Sequence, residues 1–302
     1  MKHPERILML ALVAGGASAA AALGLADEPP PVRFAHADLA TGIRLRFAEA
    51  GIPSGEPVIM LHGYSDSWYS FSPIMPLLES DYRLFALDQR GHGATDQPAS
   101  GYTLRHLAED VVAFMDALEI ERATIVGHSM GSLVAQQVGS IAPGRVERLV
   151  LIGSATTLQR INDRDAFAEA VNGLSDPVSL EFIRSFQEST IHHPVPAGFL
   201  DSVITESTRL SARVWKALLE GMLETGPAEG LARQGIPTLL VWGDNDTVFL
   251  KDERDALARQ LPEAERLDYE NTGHATHWER PEQFAEDLSD FIRRHPARGG
   301  AR

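Results

Sequence analysis

The chain has 302 residues, 44% of them hydrophobic, which is enough to bury one sizeable core, and its 27 Lys+Arg against 42 Asp+Glu give a net charge of −15. That balance excludes a basic surface for nucleic acid. The absence of cysteine excludes disulfides, thiolate metal sites, a cysteine nucleophile and a lipid-modified N-terminal cysteine.

The chain opens on Lys2, His3 and Arg6, then an apolar run from Ile7 to Val13 and small residues from Ala14 to Ala22. Gly24-Leu25-Ala26 places small residues at the −3 and −1 positions of a cleavage site, before the polar Asp27-Glu28-Pro29-Pro30-Pro31. This layout predicts a secretory signal peptide over residues 1–26 and export to a periplasmic or extracellular location, with no stable membrane anchor after cleavage. The alternative is an uncleaved anchor, because Ile7 to Ala26 holds 20 uncharged residues. The weakly apolar Ala and Gly of its second half favour cleavage, and the absence of twin arginines argues against Tat-type export.

Beyond the proline-rich spacer, Val32–Phe34 and Ile43–Ala48 read as two strands joined by a turn at Thr41-Gly42. Six further apolar runs follow: Val58–His62, Arg83–Asp88, Ala123–Val126, Arg148–Ile152, Thr238–Trp242 and Glu265–Tyr269. Each leaves into a glycine-bearing turn, and buried strands of this kind predict a mainly parallel sheet. Helices fall between them at Leu104–Leu118, Ser129–Ile141, Lys251–Leu261 and Pro281–Arg294. In the first, Leu104, Leu107, Val111, Met115 and Leu118 make one apolar face. Strand–helix alternation of this kind defines an α/β fold with helices on both faces of the sheet.

From about Ala155 to Leu231 no strand pattern occurs. Helical patterns around Ala166–Leu174, Leu180–Glu188, Ala197–Leu210 and Val214–Leu223 predict a helical cap over residues 155–231, inserted into a core made of 27–154 and 232–302.

Gly127-His128-Ser129-Met130-Gly131 matches G-x-S-x-G between an apolar strand and a helix. The tight turn there would expose Ser129 as a nucleophile, while glycine two residues away on either side removes steric conflict. The helix N-terminus would stabilise negative charge developing beside it. A serine hydroxyl needs a base. His274, after Gly273 on the loop beyond the last predicted strand, is the candidate, with His277 three residues on as a competitor. The acid that orients it comes from Gly243-Asp244-Asn245-Asp246. Asp246, deeper in the loop, is preferred, and Asp244 is expected to brace the turn. An oxyanion would be held by the backbone N–H groups of Met130 and of Tyr64, the latter in His62-Gly63-Tyr64-Ser65. His62 is expected to brace its loop.

These motifs, with Asp88-Gln89-Arg90-Gly91-His92-Gly93 and the following Thr95-Asp96, resemble the α/β-hydrolase superfamily over about Val32 to Arg294. The likeness is to its serine esterase, lactonase and non-haem haloperoxidase-like branch with a helical cap. Ser129 departs from the haloalkane dehalogenase and epoxide hydrolase branches, which use aspartate there. The resemblance implies hydrolysis of a small apolar ester or lactone through an acyl-enzyme, with no cofactor and no metal. A carbon–carbon bond hydrolase or perhydrolase would use the same triad, and a non-catalytic ligand-binding protein could keep the fold. Trp68, Phe186, Trp215 and Phe249 are expected among the aromatic residues facing substrate, and His192-His193 are expected to be solvated loop residues.

Overall fold

A computed structural model describes residues 32–297. Its strands are β1 (Arg33–Asp38), β2 (Arg44–Gly51), β3 (Glu56–Leu61), β4 (Tyr82–Leu87), β5 (Ala123–His128), β6 (Val146–Ile152), β7 (Thr238–Gly243) and β8 (Glu265–Tyr269). The helices are α1 (Met75–Leu78), α2 (Leu104–Ala117), α3 (Met130–Ile141), α4 (Arg164–Asn172), α5 (Leu180–Glu188), α6 (Ala197–Ser207), α7 (Ala212–Glu224), α8 (Lys251–Gln260), α9 (Thr276–Glu279) and α10 (Pro281–Arg294). Among the described residues, none of these helices is long and apolar enough to cross a membrane. The predicted signal peptide lies outside the described residues.

The strands form an 8-stranded sheet in the order β1-β2-β4-β3-β5-β6-β7-β8. β2 runs antiparallel to both its neighbours, and every pairing from β4 to β8 is parallel. Parallel strands covered on both faces must be apolar on both. β5 and β6 are buried along their whole length and divide their side chains between two cores. Ile125, Leu149 and Leu151 pack with Leu107, Val111, Leu133 and Val138 of α2 and α3. Val126, Val150 and Ile152 face the other way, onto Leu78 of α1 and Phe284, Leu288 and Phe291 of α10. The spacing of those three α10 residues gives the helix one apolar stripe, and Pro281 begins it where a missing N–H costs nothing.

Two strands depart from expectation at the sheet edges. β1 continues to Asp38, although only Ala37 in it is buried. Its extent is set by six paired positions on β2 rather than by any apolar pattern. β8, read as a buried strand, is an edge strand in which only Tyr269 is fully buried. Arg266 there spends its charge on Asp268 and Asp255.

α4 to α7 follow β6 and precede β7, so the helical segment leaves the C-terminal end of one parallel strand and returns to the N-terminal start of its neighbour. Around Tyr64 it converges: the tyrosine ring meets Phe167 of α4, Phe186 of α5 and Trp215 of α7 edge-on, and its hydroxyl donates to the Trp215 carbonyl at 2.5 Å. One core residue therefore ties the loop after β3 to three inserted helices.

The loop after β4 is held by charge. Arg90 makes two 2.7 Å bonds to Asp110 of α2, both side chains buried, and Asp88 accepts from the Trp68 and Ala94 N–H groups. Asp96 accepts from the Arg44 N–H, which ties the end of this loop to the start of β2.

The junction of β5 with α3 is the tightest point. A Cβ on Gly131 would lie 2.0 Å from the Leu61 carbonyl oxygen, and one on Gly127 would lie 2.3 Å from the Gly131 oxygen. Both obstacles are backbone, so neither can step aside. Gly131→Ala is therefore expected to cost about 3 kcal/mol or more, seen as a melting temperature lower by about 6 °C or more. Gly144→Ala, with nothing within 4 Å of the added carbon, should stay within about 0.5 kcal/mol of the parent.

Candidate active site

Parallel pairing brings the ends of β3, β5, β6 and β7 to one edge of the sheet, where α/β folds gather ligands. At the end of β5 the chain turns into α3 through Ser129, whose backbone has φ 51° and ψ −118°. A positive φ is strained for a residue with a Cβ and persists only where the surroundings impose it. Here the Ser129 N–H is fixed to the Ile152 carbonyl at 2.9 Å, and its own carbonyl accepts from the Ser132 and Leu133 N–H groups of α3.

His274 sits on the loop after β8. Its Nδ1 is 2.9 Å from Asp246 Oδ2, and both side chains are buried. The other Asp246 oxygen accepts from the Val248 and Phe249 N–H groups at 2.8 and 3.0 Å, so the carboxylate is oriented by its own turn. Asn245 N–H donates to the Thr272 carbonyl, joining the loop that carries Asp246 to the loop that carries His274. Asp246 being the acceptor, His274 Nδ1 carries the proton and Nε2 is the free base. That Nε2 is buried and completes no hydrogen bond among the described residues.

Ser129 and His274 line one cavity of about 40 Å³, which Gly63, Phe186 and Trp278 help to enclose. β3 and β5 pair Leu61 with Gly127, so Tyr64 and Met130 each stand three residues beyond matched positions. Their backbone N–H groups donate to no acceptor among the described residues. Two unspent donors beside a serine, one of them at the start of a helix, can hold a developing negative charge.

The rival candidates are placed elsewhere. Asp244 is exposed and accepts from Asn245 Nδ2 and the Thr272 N–H, bracing the turn. His277 is buried against Phe71 and bonded to Ser70 Oγ at 3.1 Å, and burial with the neighbouring His274 pushes its pKa down to about 3. His62 Nε2 accepts from the Gln89 N–H while Nδ1 faces the Gly63 carbonyl, and burial lowers its pKa to about 4. His192 and His193 are exposed, with their backbone N–H groups donating to Glu279.

Of the four aromatic residues expected to face substrate, Phe186 lines the cavity and the other three do not. Trp68 packs edge-on against Phe34 of β1 at 4.8 Å. Trp215 lies behind Tyr64, and Phe249 is fully buried with its ring 5.5 Å from that of His274. These two support the wall without forming it. Asp66, His128, Gln187 and Trp278 line the cavity and were not anticipated. Gln187 had a visible signal: it follows Ile183 by four residues on the buried stripe of α5, where a polar side chain needs a partner.

A strand–turn–helix with a serine at its strained turn, a buried His–Asp pair and two free N–H donors on a mainly parallel sheet define a recognisable class. The chain belongs to the α/β hydrolase fold family, whose family model matches residues 56–281. The dihydrolipoyllysine-residue acetyltransferase component of the acetoin cleaving system of Pseudomonas putida is 30% identical over 268 residues, covering 84% of this chain and 68% of that one. A non-heme chloroperoxidase of Streptomyces lividans is 29% identical over 277 residues, 83% of this chain and 97% of that one. Among solved structures, a candidate aryl esterase from Burkholderia cenocepacia superimposes with a TM-score of 0.80 at 27% identity, over 87% of this chain and 99% of that one.

The buried histidines set an acid limit. His62 and His277, with His92 and His128 also lowered by burial, stay neutral in the fold but take up protons near pH 6.5 when unfolded. The unfolded chain then binds more protons, so stability falls as pH drops from 6.5 toward 4. Asp66, raised by burial to about 7, opposes this by the equivalent of one proton. Urea unfolding is expected to show a loss of about 1.4 kcal/mol per pH unit for each uncompensated proton, and a flat profile between pH 6.5 and 4.5 would contradict the neutral assignments.

Proposed function

We propose that the protein is an exported serine hydrolase that cleaves a carboxylic ester or lactone through an acyl-enzyme. The observation that carries this reading is the 2.9 Å His274–Asp246 bond, which leaves His274 Nε2 as a buried free base in the cavity of Ser129. Ligand binding alone needs no such base. The Burkholderia cenocepacia structure, a candidate aryl esterase, supports an ester as the substrate class.

In this mechanism His274 Nε2 takes the proton of Ser129 Oγ as the oxygen attacks the carbonyl carbon. The N–H groups of Tyr64 and Met130 stabilise the oxyanion, and the α3 N-terminus adds to the same field. Collapse of the tetrahedral species breaks the bond to the leaving alkoxide, which receives the proton from His274. Water then attacks the acyl-enzyme by the same route in reverse and frees Ser129. Asp246 holds the imidazole in the needed tautomer and stabilises its charged form throughout.

Ser129→Ala or His274→Ala is expected to lower kcat on p-nitrophenyl butyrate by on the order of 10³ or more. A fluorophosphonate should label Ser129 in the parent and not in Ser129→Ala. Undiminished turnover in either variant would end the triad assignment, whereas an unlabelled parent that retains bound ligand would favour a receptor. For export, mass spectrometry of the secreted protein should find an N-terminus at Asp27, and an intact Met1 in the soluble mature form would contradict cleavage.

A further inference from the structure

The cavity contains a carboxyl for which the acyl-transfer scheme has no use. Asp66, two residues beyond Tyr64, is 3% exposed and lines the same cavity as Ser129 and His274. Its Oδ1 accepts from Gln187 Nε2 at 2.9 Å. Among the described residues no arginine or lysine pairs with it, and the nearest ionisable nitrogen, His128 Nδ1, is 3.9 Å from Oδ2, beyond hydrogen-bonding reach. A carboxyl offers about four acceptor positions, so this one retains capacity on the cavity side. Burial raises its pKa to about 7, with Gln187, the Gly63 backbone and His274 pulling partly back, so near neutrality it both accepts and donates.

His128 adds to the polarity of the same wall. It is 2% exposed, and although the His274 carbonyl is nearby, neither ring nitrogen completes a hydrogen bond. Buried polar groups ordinarily find a partner, so these ring nitrogens add hydrogen-bonding capacity to the wall. The rest of the wall is Gly63, Tyr64, Phe186, Thr190, Val248 and Trp278, and the Thr190 hydroxyl is spent on the Gln187 carbonyl.

We propose that Asp66, held by Gln187 and flanked by His128, is a specificity-determining subsite that binds a hydroxyl group carried by the substrate close to its scissile carbonyl. The proposal rests on the ester-hydrolase reading and names the substrate class of that site: hydroxylated esters or lactones, preferred over their deoxy counterparts. A hydroxyl fits because it donates to a carboxylate and accepts from a carboxylic acid. An ammonium would shed its hydration against aromatic and aliphatic walls with one half-ionised group to offset it. Asp66 and Ser129 line the same small cavity, which places the hydroxyl close to the scissile carbonyl.

The competing explanation is mechanical. Gln187 also donates to Ser65 and Ser207, so the cluster could serve only to latch α5 and α6 onto the loop after β3. A latch would affect all esters alike, whereas a subsite affects their ratio. The test is therefore the ratio of kcat/KM for ethyl 3-hydroxybutyrate to that for ethyl butyrate, measured on the parent, Asp66→Leu and Asp66→Asn. The parent is expected to favour the hydroxy ester by about tenfold or more. Asp66→Leu should bring the ratio close to one, and Asp66→Asn, which keeps hydrogen-bonding groups, should fall between. A parent ratio of one or less overturns the proposal without any variant, and so does an Asp66→Leu ratio within twofold of the parent. Absence of Ser129-dependent turnover of either ester sinks the ester reading itself, an outcome distinct from turnover without discrimination.

Discussion

A strand that passes directly into a helix while holding a serine at φ 51° needs backbone on every side of it, and that requirement organises this molecule. Gly131 brings α3 against the end of β3, so the first turn of the helix and the loop leaving Leu61 share one small space. That contact sets Tyr64 and Met130 each three residues beyond a matched strand position, with Tyr64 and Ser129 lining one cavity. The sheet supplies the platform, but a missing methyl group sets the distance between its parts.

The same loop that offers the Tyr64 N–H carries its ring upward into the inserted helices and its neighbour Asp66 into the cavity. Backbone and side chain thus serve different ends at one position. The ring fixes Phe167, Phe186 and Trp215 relative to the loop, while the N–H donates to no acceptor among the described residues. Anything that moves α4, α5 or α7 relative to the sheet is felt at this residue.

Much of the fold was legible because its elements are locally self-consistent. The stripe on α10 and the apolar runs of β5, β6 and β7 state their own period and burial. The edge strands were less so: β1 is exposed along most of its length, and its extent comes from pairing with β2, which no local pattern encodes. Among site residues, Asp246 could be preferred over Asp244 from its depth in a turn, and the geometry sets the two apart by their partners. The aromatic wall was not readable, since Trp68, Trp215 and Phe249 are as apolar as Phe186 and differ only in which layer the tertiary packing assigns them. Asp66 directly follows the His62–Ser65 motif, but nothing local marks a carboxyl as buried.

The inserted helices leave the sheet after β6 and rejoin it at β7, between the serine and the two residues that pair beneath it. Both anchor points are strand ends locked in register by their neighbours. Lengthening, trimming or exchanging that excursion redraws the ceiling over the cavity while the floor stays put. Part of the wall, Phe186, Gln187 and Thr190, therefore comes from a different stretch of polypeptide than Ser129, Asp246 and His274, while Asp66 stays with the sheet.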